Sequence, residues 1–373
     1  MKFSVNKSDF FQSLQKVIGV IPQKTTIPIL SNILLKLEDN MLTISGTDLE
    51  ISIATKCQVF DSEDGGITVQ GKRFFDIVRE LPDVPISFRS DQNNVLTLST
   101  DKGIYKLVGE VEDEYPQIGV EEADSTFKIS FDRFSRMVDK TSFAVSSDEL
   151  RTTLMGVLMQ LTANELRMAA TDGHRLAKIC DLSYKGDENP VSVILPTKAL
   201  HLVTRNMDDS DTLEIGVGEN HVTFALGSTK IFTKVIEGQF PNYDRVIPKD
   251  NNLQMFVNRE LLMSTVKRIS IFSSVYTHQV KFSISPSSLV IQAEDAEIGG
   301  EAQESIPVEY SGEPLQIGYN GTYIHDILRH IDNEDIVFEL KNAGSAAIIR
   351  PTAQKEDEDM MMLIMPIRIN DSV

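Results

Sequence analysis

The chain has 373 residues, enough for two to four domains, and a formal net charge of −19. Its 41% apolar and 24% charged residues are typical of a folded globular protein and exclude a disordered chain. No apolar run approaches the ~20 residues of a membrane span. No apolar leader follows Met1, and two cysteines, Cys57 and Cys180, are too few for a disulfide framework, so we expect a cytoplasmic protein.

Three segments of the chain open in the same way, with a short strand that runs into an amphipathic helix. Their leading phenylalanines, Phe3, Phe127 and Phe256, are 124 and 129 residues apart. The same order of elements at a nearly constant period indicates an internal repeat. We call the three segments copy one, copy two and copy three.

A pair of strands with alternating apolar and polar residues follows in each copy. This alternation predicts half-buried antiparallel strands joined by tight turns. The pattern reaches an aspartate in each copy, at Asp48, Asp172 and Asp295, which are 124 and 123 residues apart. A second helix and further alternating strands complete each copy.

The repeat predicts three domains, residues 1–122, 126–249 and 250–373. Each is expected to have two helices packed on one side of antiparallel sheets, with about eight strands. The predicted fold class is therefore α+β.

Basic side chains are concentrated in the predicted helices, although the whole chain is acidic. Six amphipathic helices are predicted, over residues 8–20, 72–81, 131–141, 197–207, 259–269 and 322–331. Cations recur on one expected outward face in two of them: Arg133, Arg136 and Lys140, then Lys198, His201 and Arg205. Lysine and arginine are also ordinary on solvated helices. Six equivalent helices with a net positive charge nevertheless favour one common surface formed by all of them. Such a surface would attract DNA phosphates without recognising the base sequence.

A ring would make such a surface useful. Two chains closed into a ring would place twelve helices around it. At about 10 Å per helix, the opening would be roughly 28 Å across, enough for a B-form duplex of about 20 Å with water around it. Retention on DNA would then be topological, and the net acidity of the chain would be no obstacle.

Three local strings add a family resemblance to the repeat. They are ATDGHRLA at residues 170–177, FPNYDRVIP at residues 240–248 and MPIRI at residues 365–369. Together with the three copies, they resemble the bacterial sliding clamps, the beta subunits of DNA polymerase III, over the whole chain. The resemblance implies a DNA-clamp fold, in which two helices per domain line a ring and antiparallel sheets lie outside. It also implies a head-to-tail homodimer that encircles double-stranded DNA whatever its sequence.

The resemblance further implies a cleft between the second and third domains. The cleft would bind short apolar linear motifs of the replicative polymerase, the clamp loader and repair proteins. Apolar side chains would hold the anchors of the peptide, and arginine and histidine tips would hold its polar groups. The implied wall consists of Arg151, Leu154, Thr171, Gly173, His174, Arg175, Leu176, Pro241, Arg245, Val246, Met365, Pro366, Ile367 and Arg368.

Two further surfaces follow from the same resemblance. The implied DNA-facing residues are Lys24, Arg73, Arg136, Lys198 and Arg205. The implied subunit contact joins Tyr105 and Leu107 of the first domain to Ile271 and Phe272 of the third, as exposed apolar residues of a closing head-to-tail interface. Two departures from the family pattern are Asp244, which stands where a basic residue is common, and the extension over residues 370–373.

No enzymatic constellation is present in the sequence. It contains no G-x-G-x-x-G, P-loop, G-x-S-x-G or H-E-x-x-H motif, and its histidines and cysteines lack zinc-site spacing. We therefore expect no catalytic residues, no metal and no cofactor. A ringless protein-interaction scaffold that uses the same cleft is the alternative, and exposed apolar residues at the implied subunit contact distinguish the two. A hydrolase would need two converging acids, which nothing in the sequence indicates.

Overall fold

The computed structural model describes residues 1–117, 123–186, 190–206, 211–295 and 299–369. The chain forms two compact units, and neither corresponds to a whole number of copies. One unit combines Met1–Ser135 with Leu195–Val235, and the other combines Arg136–Ile194 with Ile236–Val373. Copy two is therefore divided between them.

Groups of strands separate the helices along the described chain. The helices are α1 (Lys7–Ile18), α2 (Gly71–Glu80), α3 (Phe131–Thr141), α4 (Thr197–Arg205), α5 (Arg259–Ile269) and α6 (Gly321–Arg329). The strands of the first half are β1 (Lys2–Asn6), β2 (Asn32–Glu38), β3 (Met41–Thr47), β4 (Ile51–Gln58), β5 (Phe60–Glu63), β6 (Gly65–Gln70), β7 (Pro85–Ser90), β8 (Val95–Ser99), β9 (Ile104–Glu110), β10 (Ser125–Ser130), β11 (Gly156–Leu161), β12 (Leu166–Thr171) and β13 (Arg175–Asp181). Those of the second half are β14 (Val191–Pro196), β15 (Thr212–Val217), β16 (His221–Leu226), β17 (Thr229–Lys234), β18 (Leu253–Asn258), β19 (Gln279–Ser285), β20 (Ser288–Asp295), β21 (Gly300–Pro307), β22 (Glu309–Tyr310), β23 (Leu315–Asn320), β24 (Asp335–Leu340), β25 (Ala347–Pro351) and β26 (Glu358–Ile364).

Polar residues at the ends of strands begin several helices. The side chain of Gln70 accepts a hydrogen bond from the Arg73 amide and caps α2. The side chains of Asn258 and Asn320 accept from amides in the first turns of α5 and α6. Such side chains satisfy amides that a helix leaves unpaired at its start, so the change from strand to helix is encoded locally.

The predicted α+β class is confirmed, and each predicted helix overlaps a helix of the structure. In α1 the predicted apolar stripe is buried at Phe10, Leu14 and Val17. Position 207, at the end of the predicted fourth helix, lies outside the described residues, as does the extension over residues 370–373.

One sheet of thirteen strands runs through the first unit. Its order is β10-β15-β16-β17-β4-β3-β2-β6-β9-β8-β7-β1-β5, and its assigned pairs are antiparallel. Copy one meets copy two where β4 pairs with β17, from Thr55 opposite Thr229 to Ile51 opposite Thr233. The hydroxyls of Thr55 and Thr229 are buried and lie 2.9 Å apart. Adjacent copies are therefore joined by strand pairing as well as by the chain itself.

Strand pairing joins two copies in the second unit as well. Its nine-stranded sheet has the order β14-β11-β12-β13-β26-β25-β24-β18-β22. Copy two meets copy three where β13 pairs with β26, from Arg175 opposite Ile364 to Asp181 opposite Glu358. A separate four-stranded sheet has the order β21-β20-β19-β23. The segment after β26 reaches it, because the Ile367 amide donates to the Gly318 carbonyl at 2.8 Å.

No described helix is both long and apolar enough to cross a lipid bilayer. Within the described ranges, no group of three or more His, Cys, Asp or Glu side chains is arranged to hold a metal ion.

Candidate functional site

A cleft of about 470 Å³ opens on the surface of the second unit. Residues of copies two and three both line it. The lining consists of Leu154, Thr171, Gly173, His174, Arg175, Leu176, Pro241, Asn242, Tyr243, Val246, Pro248, Ser345, Ala346, Leu363 and Met365. Its volume is typical of sites that take a few anchoring side chains of a ligand.

The floor of the cleft is part of a hydrophobic core cluster. Leu154, Leu176 and Leu363 are buried in that cluster together with the Tyr243 ring. At the rim, Val246 and Met365 are exposed. The cleft thus has an apolar floor supported by packed side chains and an apolar rim open to solvent, which suits the burial of a ligand's apolar groups.

One wall is the tight hairpin between β12 and β13. The Asp172 carboxylate accepts hydrogen bonds from the amides of His174 at 2.9 Å and Arg175 at 3.0 Å. The Thr171 hydroxyl accepts from the Gly173 amide at 3.0 Å, and Gly173 has a positive φ of 91° that favours glycine. These contacts fix the hairpin and leave His174 exposed at the cleft.

The guanidinium of Arg175 is not an exposed tip, as the sequence suggested, but is held inside the protein. Its Nε donates to Asp172 at 3.1 Å, and its two terminal nitrogens donate to the Asp326 carboxylate at 2.7 Å and the Phe143 carbonyl at 2.9 Å. Its charge is therefore paired within the unit.

Tyr243 forms a second wall that the sequence did not single out. Its hydroxyl donates to the Gln160 side chain at 3.1 Å and accepts from the Arg167 guanidinium at 3.3 Å. Burial raises the pKa of Tyr243. Asp244 lies next to it, with its carboxylate 3.6 Å from the Arg167 guanidinium. Asp244, which stands where the family commonly has a basic residue, therefore adds a negative charge next to the Arg167 guanidinium.

Several lining residues were not among the predicted wall residues. They are Asn242, Tyr243, Pro248, Ser345, Ala346 and Leu363. Asn242, Tyr243 and Pro248 lie within the quoted FPNYDRVIP string, so that string was the available signal. Ser345, Ala346 and Leu363 reach the cleft through strand pairing in the sheet, which no local pattern predicts.

Five of the implied wall residues lie outside the lining: Arg151, Arg245, Pro366, Ile367 and Arg368. Arg151 is close to it, since its guanidinium donates to the Asp172 carbonyl at 2.8 Å. Ile367 is paired with Gly318 on the small sheet. Arg245 and Arg368 are exposed, and Pro366 is half-buried.

The implied DNA-facing residues fall into two classes. Lys24, Arg73 and Arg205 are exposed. Lys198 is exposed as well, but its ammonium pairs with Asp48 at 2.5 Å and donates to the Val20 carbonyl at 3.2 Å. The Arg136 guanidinium forms bonds of 2.7 and 2.9 Å to Glu358 and also pairs with Asp332.

The expected outward cationic face of α3 is wrong. The Lys140 side chain is only 4% exposed, and its ammonium pairs with Asp332 at 2.8 Å and Asp139 at 3.0 Å. Arg136 turns toward the same Asp332 carboxylate. Helical spacing places these cations together, but the acidic residues of copy three draw two of them inward as ion pairs.

The implied subunit contact is mostly exposed. Ile271 is 73% exposed, and Tyr105 and Phe272 are also exposed. The expected exposure of Leu107 is wrong, because it is only 7% exposed in the single chain. Alternation along β9 turns Leu107 into the core and leaves its neighbour Val108 80% exposed.

A pocket of about 550 Å³ lies beside β9 in the first unit. It is lined by Gln70, Lys72, Arg73, Asp76, Ile77, Glu80, Leu81 and Tyr105. Most of these residues belong to α2, so this helix and the exposed face of β9 form one continuous surface.

Family models match almost the whole chain. They are those of the N-terminal domain of the DNA polymerase III beta subunit at residues 1–119, its central domain at residues 128–242 and its C-terminal domain at residues 244–368. The chain belongs to the DNA polymerase III beta subunit family.

Individual members of the family are similar over their full length. The beta sliding clamp of Haemophilus influenzae is 33% identical over 99% of this chain and 100% of the relative, and that of Pseudomonas aeruginosa is 31% identical with the same coverage. A crystal structure of the Pseudomonas aeruginosa sliding clamp bound to griselimycin has a TM-score of 0.93 at 31% identity, covering 99% of this chain and 100% of that one. The fold is therefore that of the DNA clamps.

Proposed function

We propose that this chain is a DNA sliding clamp, a non-catalytic processivity factor of the replicative polymerase. It encircles duplex DNA as a homodimeric ring in the cytoplasm and tethers the polymerase, the clamp loader and repair proteins through the cleft. The observation that carries the proposal is the apolar cleft of about 470 Å³, built on the hairpin of the ATDGHRLA string in a chain that belongs to the family over its full length.

The cleft suits a short peptide with apolar anchors. Leu176 and Leu363 offer a preformed apolar floor, and the exposed rim residues Val246 and Met365 lose solvent contact when a side chain enters. Burial of an aliphatic anchor contributes about 1.5–3 kcal/mol, so a few anchors supply useful affinity.

Ring closure is supported by the two strand junctions within the chain. In copies one and two, an aspartate stands at the tip of a hairpin, at Asp48 and Asp172. The residue across the hairpin from it is the first to pair with the next copy. Ile51 pairs with Thr233, and Arg175 pairs with Ile364. In copy three, the residue opposite Asp295 is Gly300, the first residue of β21. Among the described strands, none lies against the outer edge of β21.

The strand that would complete a third junction is β9 of a second chain. Val108 precedes Pro116 by the same eight residues that separate Thr233 from Pro241. Repetition of the internal junctions therefore places Gly300 opposite Val108 of the second chain. Two such contacts close a head-to-tail dimer of six copies.

The seam has an apolar component as well. Ile271 and Phe272 are exposed apolar residues at the end of α5. The pocket beside β9 offers Ile77, Leu81 and Tyr105 as apolar lining. We assign this pocket as the seat for Ile271 and Phe272 of the second chain, because desolvated apolar anchors dominate stable interfaces.

Retention on circular DNA tests the ring. The protein loaded onto a nicked circular plasmid should remain bound in high salt and leave when the plasmid is linearised. A clamp held by its topology slides off free ends, whereas one held by ionic contacts does not distinguish the two forms. Equal retention on circular and linear DNA contradicts the proposal.

Two rim substitutions test the cleft. Val246→Ser with Met365→Ser should weaken binding of a fluorescein-labelled decapeptide with two adjacent leucines by about tenfold or more, measured by anisotropy. A decapeptide with both leucines replaced by serine should not bind. Leu150→Ser is the matched control, since Leu150 is exposed but does not line the cleft. Equal losses in the double variant and the control contradict the assignment.

A further inference from the structure

We propose that the guanidinium of Arg175 is a positioning group, which fixes the shape of the cleft by holding its hairpin wall to α6 and does not bind the peptide. The inference rests on the proposed peptide-binding function. It changes the role of an arginine that lies in the most diagnostic string of the chain and that the sequence assigned to ligand contact.

Each nitrogen of the guanidinium already has a partner inside the protein. Nε and one terminal nitrogen donate to the carboxylates of Asp172 and Asp326, at 3.1 and 2.7 Å. The other terminal nitrogen donates to the Phe143 carbonyl at 2.9 Å. Charge-assisted bonds of this kind are the strong ones, and a planar fork holds its partners in one orientation.

Aromatic rings hold the guanidinium as well. Its central carbon lies 4.4 Å from the ring centre of Tyr323 and 5.4 Å from that of Phe143. The Arg175 side chain is only 9% exposed. A peptide in the cleft therefore meets a side chain that is already stacked, paired and almost fully covered.

The partners of Arg175 come from both copies that build the cleft. Asp172 belongs to the β12–β13 hairpin of copy two, and Phe143 follows α3 in the same copy. Asp326 and Tyr323 belong to α6 of copy three. Arg175 therefore joins the hairpin to α6.

The hairpin in turn forms a wall of the cleft. Thr171, Gly173, His174 and Leu176 line it together with Arg175 itself, whose guanidinium is turned to its partners inside the protein. Loss of the bond to α6 frees the hairpin to shift, and a shift of about 1 Å is enough to spoil a preorganised site. The position of the wall is therefore coupled to α6, although α6 contributes no lining residue among those described.

Asp326→Ala tests the coupling without a change in any lining residue. We expect it to weaken binding of the two-leucine decapeptide about tenfold. Arg329→Ala, an exposed substitution on the same helix, should leave the affinity unchanged. Equal affinity in the Asp326→Ala variant and this control overturns the inference. Failure of the wild-type protein to bind the peptide at all would instead overturn the proposed function.

A second peptide separates positioning from contact. It is the same decapeptide with a glutamate in place of the uncharged residue next to the two leucines. Arg175→Met keeps an aliphatic side chain at the cleft and should lower the affinity for both peptides by the same factor, because the guanidinium nitrogens are all paired inside the protein. A selective loss for the glutamate peptide shows a direct contact and overturns the inference.

Hydrogen exchange on the wild-type protein provides a test that needs no variant. Peptide binding should slow exchange of the α6 amides around residues 324–329, since the hairpin and α6 move together. Unchanged exchange in α6, with slowed exchange in the hairpin, overturns the coupling.

Discussion

Asp332 brings together two of the three cations of α3, Arg136 and Lys140, in the second unit. Its carboxylate pairs with the ammonium of Lys140 and the guanidinium of Arg136, which also binds Glu358. Burial alone would raise the pKa of Asp332, but hydrogen bonds and charges from Lys140 and Arg136 outweigh burial and lower the pKa from 3.8 to about 2. Two cations that could have faced DNA instead join copy two to copy three.

The pH dependence of stability follows from this shift. Because the folded pKa of Asp332 lies below the unfolded one, its ion pairs contribute full stability above pH 4, and the contribution falls as pH drops toward 2. Asp332→Asn should cost about 1–2 kcal/mol at pH 7, a value reduced for the partial exposure of the carboxylate. Urea unfolding should show this deficit shrinking between pH 4 and pH 2.5. A constant deficit over that range contradicts the assignment, and Asp101→Asn serves as an exposed control.

Lys198 also has an internal partner, in the first unit. Since its ammonium pairs with Asp48 and the Val20 carbonyl, it should release few counterions when DNA binds. Lys198→Met should leave the salt dependence of binding to a labelled duplex nearly unchanged, measured by anisotropy. Arg205→Met, which removes an exposed cation, should reduce the slope of log affinity against log salt by about 0.9. Equal reductions in the two variants would assign Lys198 to phosphate contact.

At the scale of elements, the junctions between copies determine which strand edges remain unpaired. The β4–β17 and β13–β26 pairs bury strand edges that would otherwise template association. Buried hydroxyls at the first junction add specificity, since Thr55 and Thr229 bond to each other at 2.9 Å.

Single and double substitutions measure this bond. Thr229→Val should cost about 1–3 kcal/mol in urea unfolding, because the Thr55 hydroxyl loses its partner in a buried site. The double variant Thr55→Val with Thr229→Val should recover part of that loss, as neither hydroxyl is then unpaired. Strictly additive losses contradict the pairing.

Sequence patterns predicted where helices and strands lie better than which elements and side chains pack against one another. Apolar spacing located α1 and its buried residues Phe10 and Leu14 because that signal is local. The burial of Leu107 was missed because its side of β9 depends on strand register. Arg175 was assigned to the ligand because its string resembles a cleft wall, whereas Asp326, which holds it, lies 151 residues away. Long-range pairing of this kind leaves no periodic trace in a single sequence.

At the scale of the whole molecule, the exposed apolar residues separate the ring from a ringless scaffold. Ile271 and Val108 are 73% and 80% exposed in one chain, and Phe272 is exposed next to Ile271; a closed ring would cover these residues, whereas a scaffold leaves them in water.

The seam can be broken without any change in the cleft. Ile271→Ala with Phe272→Ala should give a particle of one chain mass in light scattering, where the wild-type protein has twice that mass. The double variant should still bind the two-leucine peptide. Leu150→Ala removes an even more exposed apolar side chain elsewhere and should leave the mass unchanged. A wild-type particle of one chain mass would favour the scaffold.

Because sheets are shared between copies, a single copy expressed alone lacks part of its sheet. A fragment with residues 126–249 alone would leave β13 and β17 without the neighbours that β26 and β4 supply. Both bare strands would then be free to recruit other polypeptides. Expression of isolated thirds should therefore yield insoluble material, even though each third carries a complete set of helices and strands, and modular shuffling among relatives should succeed only when neighbouring thirds travel together.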